Sequence, residues 1–361
     1  MNPANPWPPT AIGASGRAAA GAPAGVGGAS PGAPRSLRPE APAGAATPPA
    51  GDADAVAGGA GAAGTAPASS ASTGAGVAEP NNRLDHALAR ARAEGRAALI
   101  VYVTAGHPDL HATRRLVPAL FAAGADVVEL GMPFSDPLAD GPTIQRSTQH
   151  ALAQGVRLPD VLDLVRGLRT DGVAGALVLL SYANPLLARG LLDEPAPLAT
   201  AGFDGVIVPD LPLVERGPVE AAFRAAGLHL IPMVAPTSSP QHVRRAVAGR
   251  GGFVYCVSVT GVTGARKDLP AELPRWLDRV RAAGQRPVVV GFGVSGPDQV
   301  RALAAHADGV IVGSALVERI EEAARITDAD APDGDHRTRA VVDAATAFIA
   351  TLRRAVAGDR A

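Results

Sequence analysis

The sequence contains very little cysteine, lysine or aromatic side chain, and each shortage excludes a class of protein. The single cysteine, Cys256, rules out an intrachain disulfide among the 361 residues and fits a reducing compartment. Lys267 is the only lysine, and 33 basic residues are balanced by 34 acidic ones, so no basic field indicates nucleic-acid binding. No run of about 18 apolar residues is present to span a membrane. The N-terminus lacks a basic segment followed by an apolar core, so we predict a cytoplasmic protein.

Residues 1–80 differ in composition from everything that follows. They are mostly Ala, Gly, Pro, Ser and Thr, with few charges and with Trp7 as the only aromatic residue. Such a segment buries too little apolar area to offset its chain entropy, so we predict a disordered extension. A transit peptide would be richer in arginine and amphipathic. The sequence therefore predicts two parts, this extension and a folded domain over residues 81–361.

The folded part alternates apolar runs with helical stretches. Asn82 can cap a first helix over Arg83–Ala93, with Leu84 and Leu88 on one face. The apolar runs that follow are mostly continuous Val/Ile/Leu segments, typical of strands covered on both sides, and each has a helical stretch behind it. There are eight: Ala98–Val103, Asp126–Leu130, Ala176–Ser181, Asp204–Val208, Leu228–Val234, Gly252–Val257, Pro287–Gly291 and Asp308–Val312.

This order predicts an α/β fold, a (β/α)8 TIM barrel with an extra N-terminal helix. An open doubly wound sheet is the alternative, although Gly-x-Gly-x-x-Gly is absent after the first strand. Two of the runs begin with the same pentapeptide, Asp-Gly-Val-Ile-Val, at 204–208 and 308–312. A barrel built from two similar halves would contain such a repeat, and so would chance in a sequence this rich in Val and Gly.

The remaining titratable clusters are predicted to be structural. Thr327–His336 contains several aspartates around Pro and Gly, so we predict a solvated loop, followed by a last helix over about Thr338–Val356. His107, His111 and the other histidines are predicted to be surface or loop residues, because their spacing does not suit a metal site. Cys256 is predicted to be a small buried residue. No metal site is expected.

The segment 126–142 combines a buried strand with carboxylates. Glu129 lies inside an apolar run that breaks at Gly131 and at two prolines, which predicts a strand entering an irregular loop. Asp136 and Asp140 follow in that loop. A carboxylate in a buried strand is costly unless it is paired or has a chemical role. The residues alone allow both readings, a paired structural acid with turn aspartates or a catalytic pocket.

Function in a barrel lies at the C-terminal ends of the strands, so the residues that follow each strand are the candidates. The glycine-rich turns after the last two strands contain Gly293, Gly313 and Ser314, and their backbone N–H groups with a helix start suit phosphate. Tight turns alone would also require these glycines. Tyr102, Tyr255 and Phe292 can line an apolar pocket, although each could be plain core. Thr260–Gly264 has the composition of a mobile lid or of an ordinary loop.

These residues also match a known pattern. The segment Glu129-Leu-Gly-Met-Pro-Phe-Ser-Asp-Pro-Leu-Ala-Asp-Gly-Pro-Thr-Ile-Gln145 resembles the signature of the tryptophan synthase alpha chain family. The resemblance covers about Arg83 to Phe348, in the order of the family. It extends to further motifs, namely Tyr102-Val-Thr-Ala-Gly106, Tyr182-Ala-Asn-Pro185, Val208-Pro-Asp-Leu-Pro212, Ser258–Gly264, Gly291-Phe-Gly-Val-Ser295 and Gly313-Ser314.

The resemblance implies a barrel lyase that cleaves indole-3-glycerol phosphate to indole and glyceraldehyde 3-phosphate by a retro-aldol reaction. Glu129 would be the general acid/base, and Asp140 would accept the indole N–H and stabilise positive charge on the ring. The chain would need no cofactor of its own. The implied substrate contacts are Tyr102, Tyr255, Phe292 and Ile311 around the indole, and Gly264, Gly293, Gly313 and Ser314 around the phosphate.

The resemblance also implies a partner, a pyridoxal-phosphate (PLP) dependent beta chain that receives the indole in an alpha2-beta2 heterotetramer. Pro133, Asp136 and Thr263 would serve partner contact and loop closure. Tyr102 departs from the family pattern, in which Phe is frequent, and Val259 stands where some members have Arg. Two alternatives are a catalytically silent activator of the beta chain and another phosphate-binding barrel enzyme of the same pathway. Both carboxylates are retained, which argues against the first, and no strand end carries a lysine, which argues against the second.

Overall fold

The computed structural model describes residues 79–212, 214–257, 271–291, 293–330 and 334–357, without the side chains of 327–330. The predicted extension lies outside the described residues except for Glu79 and Pro80, so its disorder and the domain boundary stay predictions. The predicted lid Thr260–Gly264 and Phe292 lie outside them as well. Within the described ranges no helix combines the length and apolarity that crossing a bilayer requires.

The described chain alternates strands and helices as the sequence predicts. The strands are β1 Ala98–Thr104, β2 Val127–Gly131, β3 Ala176–Leu180, β4 Gly205–Ile207, β5 His229–Ile231, β6 Met233–Val234, β7 Val254–Val257, β8 Val288–Gly291 and β9 Gly309–Val312. The helices are α1 Arg83–Ala93, α2 Leu110–Ala122, α3 Pro142–Ala153, α4 Leu158–Thr170, α5 Ala183–Leu187, α6 Ala196–Ala201, α7 Arg216–Ala225, α8 Pro240–Val247, α9 Leu273–Ala282, α10 Pro297–Ala304, α11 Ser314–Asp330 and α12 Gly334–Val356.

All strand pairs are parallel, and the sheet order is β5-β4-β3-β2-β1-β9-β8-β7-β6. The predicted run Leu228–Val234 is divided at Pro232, because proline has no N–H to donate to a ladder. The Pro232 carbonyl still accepts a hydrogen bond from the Tyr255 N–H at 2.8 Å. Since β5 and β6 are the two parts of one strand and stand at the two ends of the sheet order, the sheet closes on itself. The (β/α)8 barrel is confirmed.

Side chains of the strands alternate between the helix layer and the barrel interior. In β1, Leu99 and Val101 pack outwards in the large core cluster that contains the apolar faces of the helices. Ile100 points inwards to a second cluster with Val127 and Val178 of the neighbouring strands. Because the strand period is two, every second residue of each strand is directed into the barrel, and the last of these faces the open end.

Helix α1 closes the opposite end of the barrel. Asn82 caps it by accepting a hydrogen bond from the Leu84 N–H, and the Asp85 side chain completes a capping box by accepting from the Asn82 N–H. Leu84 and Leu88 are buried in the interior cluster. The predicted extra helix, its cap and its apolar face are therefore confirmed.

The repeated pentapeptides begin with an aspartate that has the same structural role in both copies. Asp204 accepts a hydrogen bond from the Leu177 N–H of the preceding strand, and Asp308 accepts one from Val288, each at 2.9 Å. Asp126 accepts from Leu99 in the same way. Each aspartate also pairs with at least one arginine. These aspartates join neighbouring strands at the N-terminal end of the barrel.

Two predictions about local structure are wrong. The segment Thr327–His336 is not a continuous loop, since α11 runs to Asp330 and α12 begins at Gly334, so only residues 331–333 lie outside the described structure. His229 is buried in β5 rather than on the surface or in a loop, whereas His107 lies in a loop as predicted but is buried there. Burial lowers the pKa of His107 to about 4, so the ring is neutral at pH 7. Cys256 is buried as predicted.

Candidate active site

A pocket opens at the C-terminal ends of the strands. Its walls include eight of the sequence-predicted site residues, namely Glu129, Asp140, Tyr102, Tyr255, Gly293, Ile311, Gly313 and Ser314. The closed barrel brings them together because the inward positions of β1, β2, β7 and β9 converge on the same opening. Residues from six separate parts of the sequence thus meet around one space.

Glu129 is directed into this pocket by the strand period. It stands two positions after the inward Val127 and is the register partner of Tyr102 in β1. The side chain is 1 % exposed, and its Oε2 has no hydrogen-bond partner among the described residues. Burial and then the neighbouring Asp140 raise the pKa of Glu129 to about 8. A buried carboxyl without an internal partner is available to a substrate.

Asp140 reaches the pocket because the β2–α3 loop folds back over the end of β3. The Tyr182 hydroxyl accepts a hydrogen bond from the Ala139 N–H at 2.9 Å. The Gln145 side-chain amide donates to the Asp140 carbonyl at 2.8 Å. Burial raises the pKa of Asp140 to about 6, and a hydrogen bond with Tyr182 acts in the opposite direction. The loop is therefore held from both sides, by β3 and by the first turn of α3.

The two carboxyl groups have different protonation states at neutral pH. With a pKa of about 8, Glu129 is mostly protonated, whereas Asp140 with a pKa of about 6 is mostly ionised. Two acids whose environments separate their pKa values form the usual arrangement of a proton donor beside a stabilising carboxylate. The pocket can therefore deliver a proton from one side and stabilise a cation from the other.

The glycine-rich end of the pocket has the features of an anion site. Gly293 has φ +76°, a conformation that favours glycine. Ser314 and Ala315 line the pocket at the start of α11, where the first N–H groups of a helix have no intrahelical acceptor. No lysine or arginine is among the pocket residues in the described part of the chain. Backbone N–H groups and the helix dipole would be the main attraction for a phosphate.

Only part of the aromatic and aliphatic wall of the pocket was predicted from the sequence. Tyr102, Tyr255 and Ile311 line the pocket as predicted, and Ile144 of α3 and Leu180 of β3 add two walls that sequence reasoning missed. The sequence positions of both residues could have indicated this role, since Leu180 ends an apolar strand and Ile144 lies in the first turn of the helix after the loop. The sequence singles out Tyr182 only as part of a family motif, and its role as an anchor of the Asp140 loop depends on a contact across 43 residues.

Several predicted residues stay outside this geometry. Phe292, Gly264 and Thr263 lie outside the described residues, so their roles stay predictions. Pro133 is buried and Asp136 is exposed in the β2–α3 loop, and neither lines the pocket. In the described ranges no group of His, Cys, Asp and Glu side chains has the arrangement of a metal site.

Comparison with known sequences identifies relatives over the whole barrel. The family model described as tryptophan synthase alpha chain matches residues 88–348. The tryptophan synthase alpha chain of Roseiflexus sp. (strain RS-1) is 47 % identical over 260 residues, which is 72 % of this chain and 97 % of the relative. The protein of the same name from Chloroflexus aggregans is 50 % identical over 243 residues, 67 % of this chain and 91 % of the relative.

Solved structures show the same likeness. Tryptophan synthase subunit alpha from Legionella pneumophila str. Paris superposes with a TM-score of 0.67 at 33 % identity, covering 76 % of this chain and 98 % of that chain. A chain of Mycobacterium tuberculosis tryptophan synthase superposes with a TM-score of 0.66 at 38 % identity, again over 76 % and 98 %. The chain therefore belongs to the tryptophan synthase alpha chain family.

Proposed function

We propose that this chain is the alpha subunit of a tryptophan synthase and cleaves indole-3-glycerol phosphate to indole and glyceraldehyde 3-phosphate. The observation that carries the proposal is the pair of buried carboxyl groups, Glu129 and Asp140, that face one pocket with separated pKa values. The other half of the pocket supports it, because a helix start and glycine turns suit the phosphate of such a substrate.

The bound substrate would span the pocket. Its phosphate would lie against Gly293, Gly313 and Ser314, and its indole ring between Tyr102 and Ile311. Asp140 as a carboxylate would accept the indole N–H and stabilise the cation that forms when the ring is protonated. The binding energy of the phosphate would hold the reacting carbon at Glu129.

Glu129 would carry the proton in both directions. The protonated carboxyl first donates its proton to the ring carbon that bears the side chain, which leaves a cationic ring and a Glu129 carboxylate. That carboxylate then removes the proton of the adjacent side-chain hydroxyl as the carbon–carbon bond breaks. The bonding electron pair returns to the ring, the hydroxyl carbon becomes the aldehyde, and Glu129 is protonated again. The cycle needs no cofactor in this chain, and the proton count balances.

The surface around the mouth suits a partner. Leu138, Leu187 and Val214 follow β2, β3 and β4 and are 86 %, 54 % and 81 % exposed, which is unusual for large apolar side chains on neighbouring segments. Pro133 and Asp136 belong to the same loop as Leu138. We assign this face to a PLP-dependent beta chain in an alpha2-beta2 heterotetramer in the cytoplasm. Docking there would act on the loop that carries Asp140, with Thr263 as a further closure residue, and so couple the two sites.

The test is a direct assay of indole release. The purified chain is incubated with indole-3-glycerol phosphate, with and without a beta chain, between pH 5 and pH 10. Release should follow a bell-shaped profile. It declines below about pH 6 because Asp140 gains a proton, and above about pH 8 because Glu129 loses one. Activation of a beta chain without any indole release would instead identify a silent activator and refute the lyase proposal.

A further inference from the structure

The N-terminal end of the barrel contains a second cavity, remote from the strand ends that form the active site. It has a volume of about 420 Å³ and lies beneath the turns that lead into β1, β7, β8 and β9. Four arginines line it, Arg92, Arg250, Arg281 and Arg286, and among the described residues Asp308 is the one acid of its wall. The cavity thus has a strong excess of positive charge.

Asp308 cannot neutralise this excess. Its Oδ1 accepts from Arg281 Nη2 at 2.8 Å, and its Oδ2 accepts from the Val288 N–H at 2.9 Å. Arg92, Arg250 and Arg286 form no ion pair with any carboxylate in the described part of the chain. Three guanidinium groups around one cavity repel one another, and a bound anion would remove that repulsion.

Arg286 is the residue that makes this more than a charged surface. It is 8 % exposed, its Nη1 donates to the Ala246 carbonyl at 3.0 Å, and its Nε has no acceptor among the described residues. Arg96, equally buried, has the carboxylate of Asp126 as its partner. Arg286 lacks the counter-charge that the fold supplies to Arg96. Its burial is therefore costly, because a buried guanidinium without a carboxylate is destabilising.

Glu79 and Glu220 act on the charge of Arg286 from a distance, but their closest cation is Arg224, at 3.6 Å and 3.7 Å. They are therefore not the missing partner. Neither glutamate lines the arginine cavity.

Backbone contacts join the turns that form the walls of the cavity. The N–H groups of Gln285 and Arg286 both donate to the Val247 carbonyl, which ties the α9–β8 turn to the end of α8. A Cβ at Gly249 would lie 1.9 Å from Arg286 Nη2, so the guanidinium packs directly against this glycine and would have to shift if a larger residue stood there. Arg92 and Arg281 stand in the last turns of their helices, where a cation also stabilises the helix end. Arg250 and Arg286 lie in turns and have no such role.

We propose that this cavity is a binding site for a small polyanion that carries two or more phosphate groups. Guanidinium forks bind phosphate oxygens in pairs, and several of them around one cavity suit adjacent phosphates better than a single charge. The occupant would bridge the turns before β7 and β8 and the end of α1, and so stabilise the end of the barrel opposite the active site.

The experiment is a calorimetric titration of the full chain with inorganic pyrophosphate at low ionic strength, where exposed charges are least screened. We expect saturable binding in the wild type, an affinity about tenfold lower in Arg250→Ala, and a partial loss in Arg286→Lys, which keeps the charge but not the fork. Arg244→Ala is the matched control, because Arg244 is exposed on α8 and does not line the cavity. Its affinity should equal that of the wild type.

Melting curves separate binding from folding. Without pyrophosphate, Arg250→Ala should melt with the wild type, since Arg250 is exposed, and only the rise in Tm on adding pyrophosphate should be lost. Absence of saturable binding would refute the proposal. So would equal affinity in the wild type and Arg250→Ala, which would place pyrophosphate at the active-site turns instead. Citrate, with similar charge and no phosphate, should bind more weakly, and equal or tighter binding would overturn the assignment to phosphate.

Discussion

Buried carboxylates have opposite surroundings at the two ends of this barrel. At the N-terminal end, Asp126 is 3 % exposed and both of its oxygens are occupied, by Arg96 at 2.5 Å and 2.8 Å and by the Leu99 N–H at 2.9 Å. At the C-terminal end, Glu129 is 1 % exposed and its Oε2 has no partner among the described residues. The two side chains are three positions apart in the sequence, at the start and near the end of one strand.

The difference shows how stability and chemistry are separated along a strand. A carboxylate with all its hydrogen-bond sites occupied joins neighbouring strands but offers nothing to a ligand. A carboxyl with an unoccupied oxygen destabilises the folded state and retains its capacity for proton transfer. Exposure does not distinguish the two, because both side chains are buried. Their partners do.

The largest expected effect comes from Glu129→Gln. The amide keeps the shape of the side chain but cannot donate and recover a proton, so kcat for cleavage of indole-3-glycerol phosphate should fall about a thousandfold. Steady-state kinetics with the beta chain present measure it. Turnover within a factor of a few of the wild type would show that Glu129 is not the proton carrier.

Unfolding of the same variant provides the control for its fold. The folded-state pKa of Glu129 is about 8, above its usual value of 4.5, so between these pH values the folded protein binds this proton more tightly than the unfolded chain. The wild type therefore loses stability as the pH rises through this window, and the uncharged amide does not. The Tm of Glu129→Gln relative to the wild type should increase from pH 5 to pH 8. A lower relative Tm at pH 8 than at pH 5 would contradict the raised pKa.

Asp126→Asn should have the reverse outcome, with lost stability and retained activity. Removal of the charge leaves Arg96, at 5 % exposure, with only the more exposed Glu94 as a carboxylate partner among the described residues, which should cost about 3 kcal/mol of the free energy of unfolding. Chemical denaturation measures it, with kcat determined at a temperature where the variant is folded. The matched control is Asp298→Asn, since Asp298 pairs with Arg301 at 92 % exposure and should change stability by less than about 0.5 kcal/mol. Equal effects of the two substitutions would remove the contrast between the ends of the barrel.

A smaller effect is expected from Tyr182→Phe. The ring that packs on Phe134 stays, and only the hydroxyl that accepts from the Ala139 N–H is lost. Looser positioning of Asp140 should lower kcat/KM about tenfold, which corresponds to one hydrogen bond of about 1.4 kcal/mol. The acid limb of the pH profile should shift to higher pH, because the hydrogen bond of Tyr182 holds the pKa of Asp140 down. An unchanged acid limb together with unchanged kcat/KM would show that Tyr182 has no positioning role.

Much of this protein follows from its sequence by itself. The eight apolar runs predict the barrel because strands covered on both sides cannot alternate with polar residues, and the capped helix at Arg83 follows from Asn82 and two leucines. The signature around Glu129 and Asp140 identifies the family and predicts the reactive residues. Local patterns of this kind can be predicted from the sequence because they depend on residues that are neighbours in the chain.

Tertiary structure alone decided which buried polar groups are saturated. The burial of His107 and His229, the anchoring of the Asp140 loop by Tyr182, and the unpaired state of Arg286 depend on contacts between distant segments, which no local period encodes. The sequence by itself thus determined the barrel and the two carboxyl groups proposed to react, whereas the packing of distant segments shifted their pKa values, because burial and partners, not residue type, set the cost of a charge.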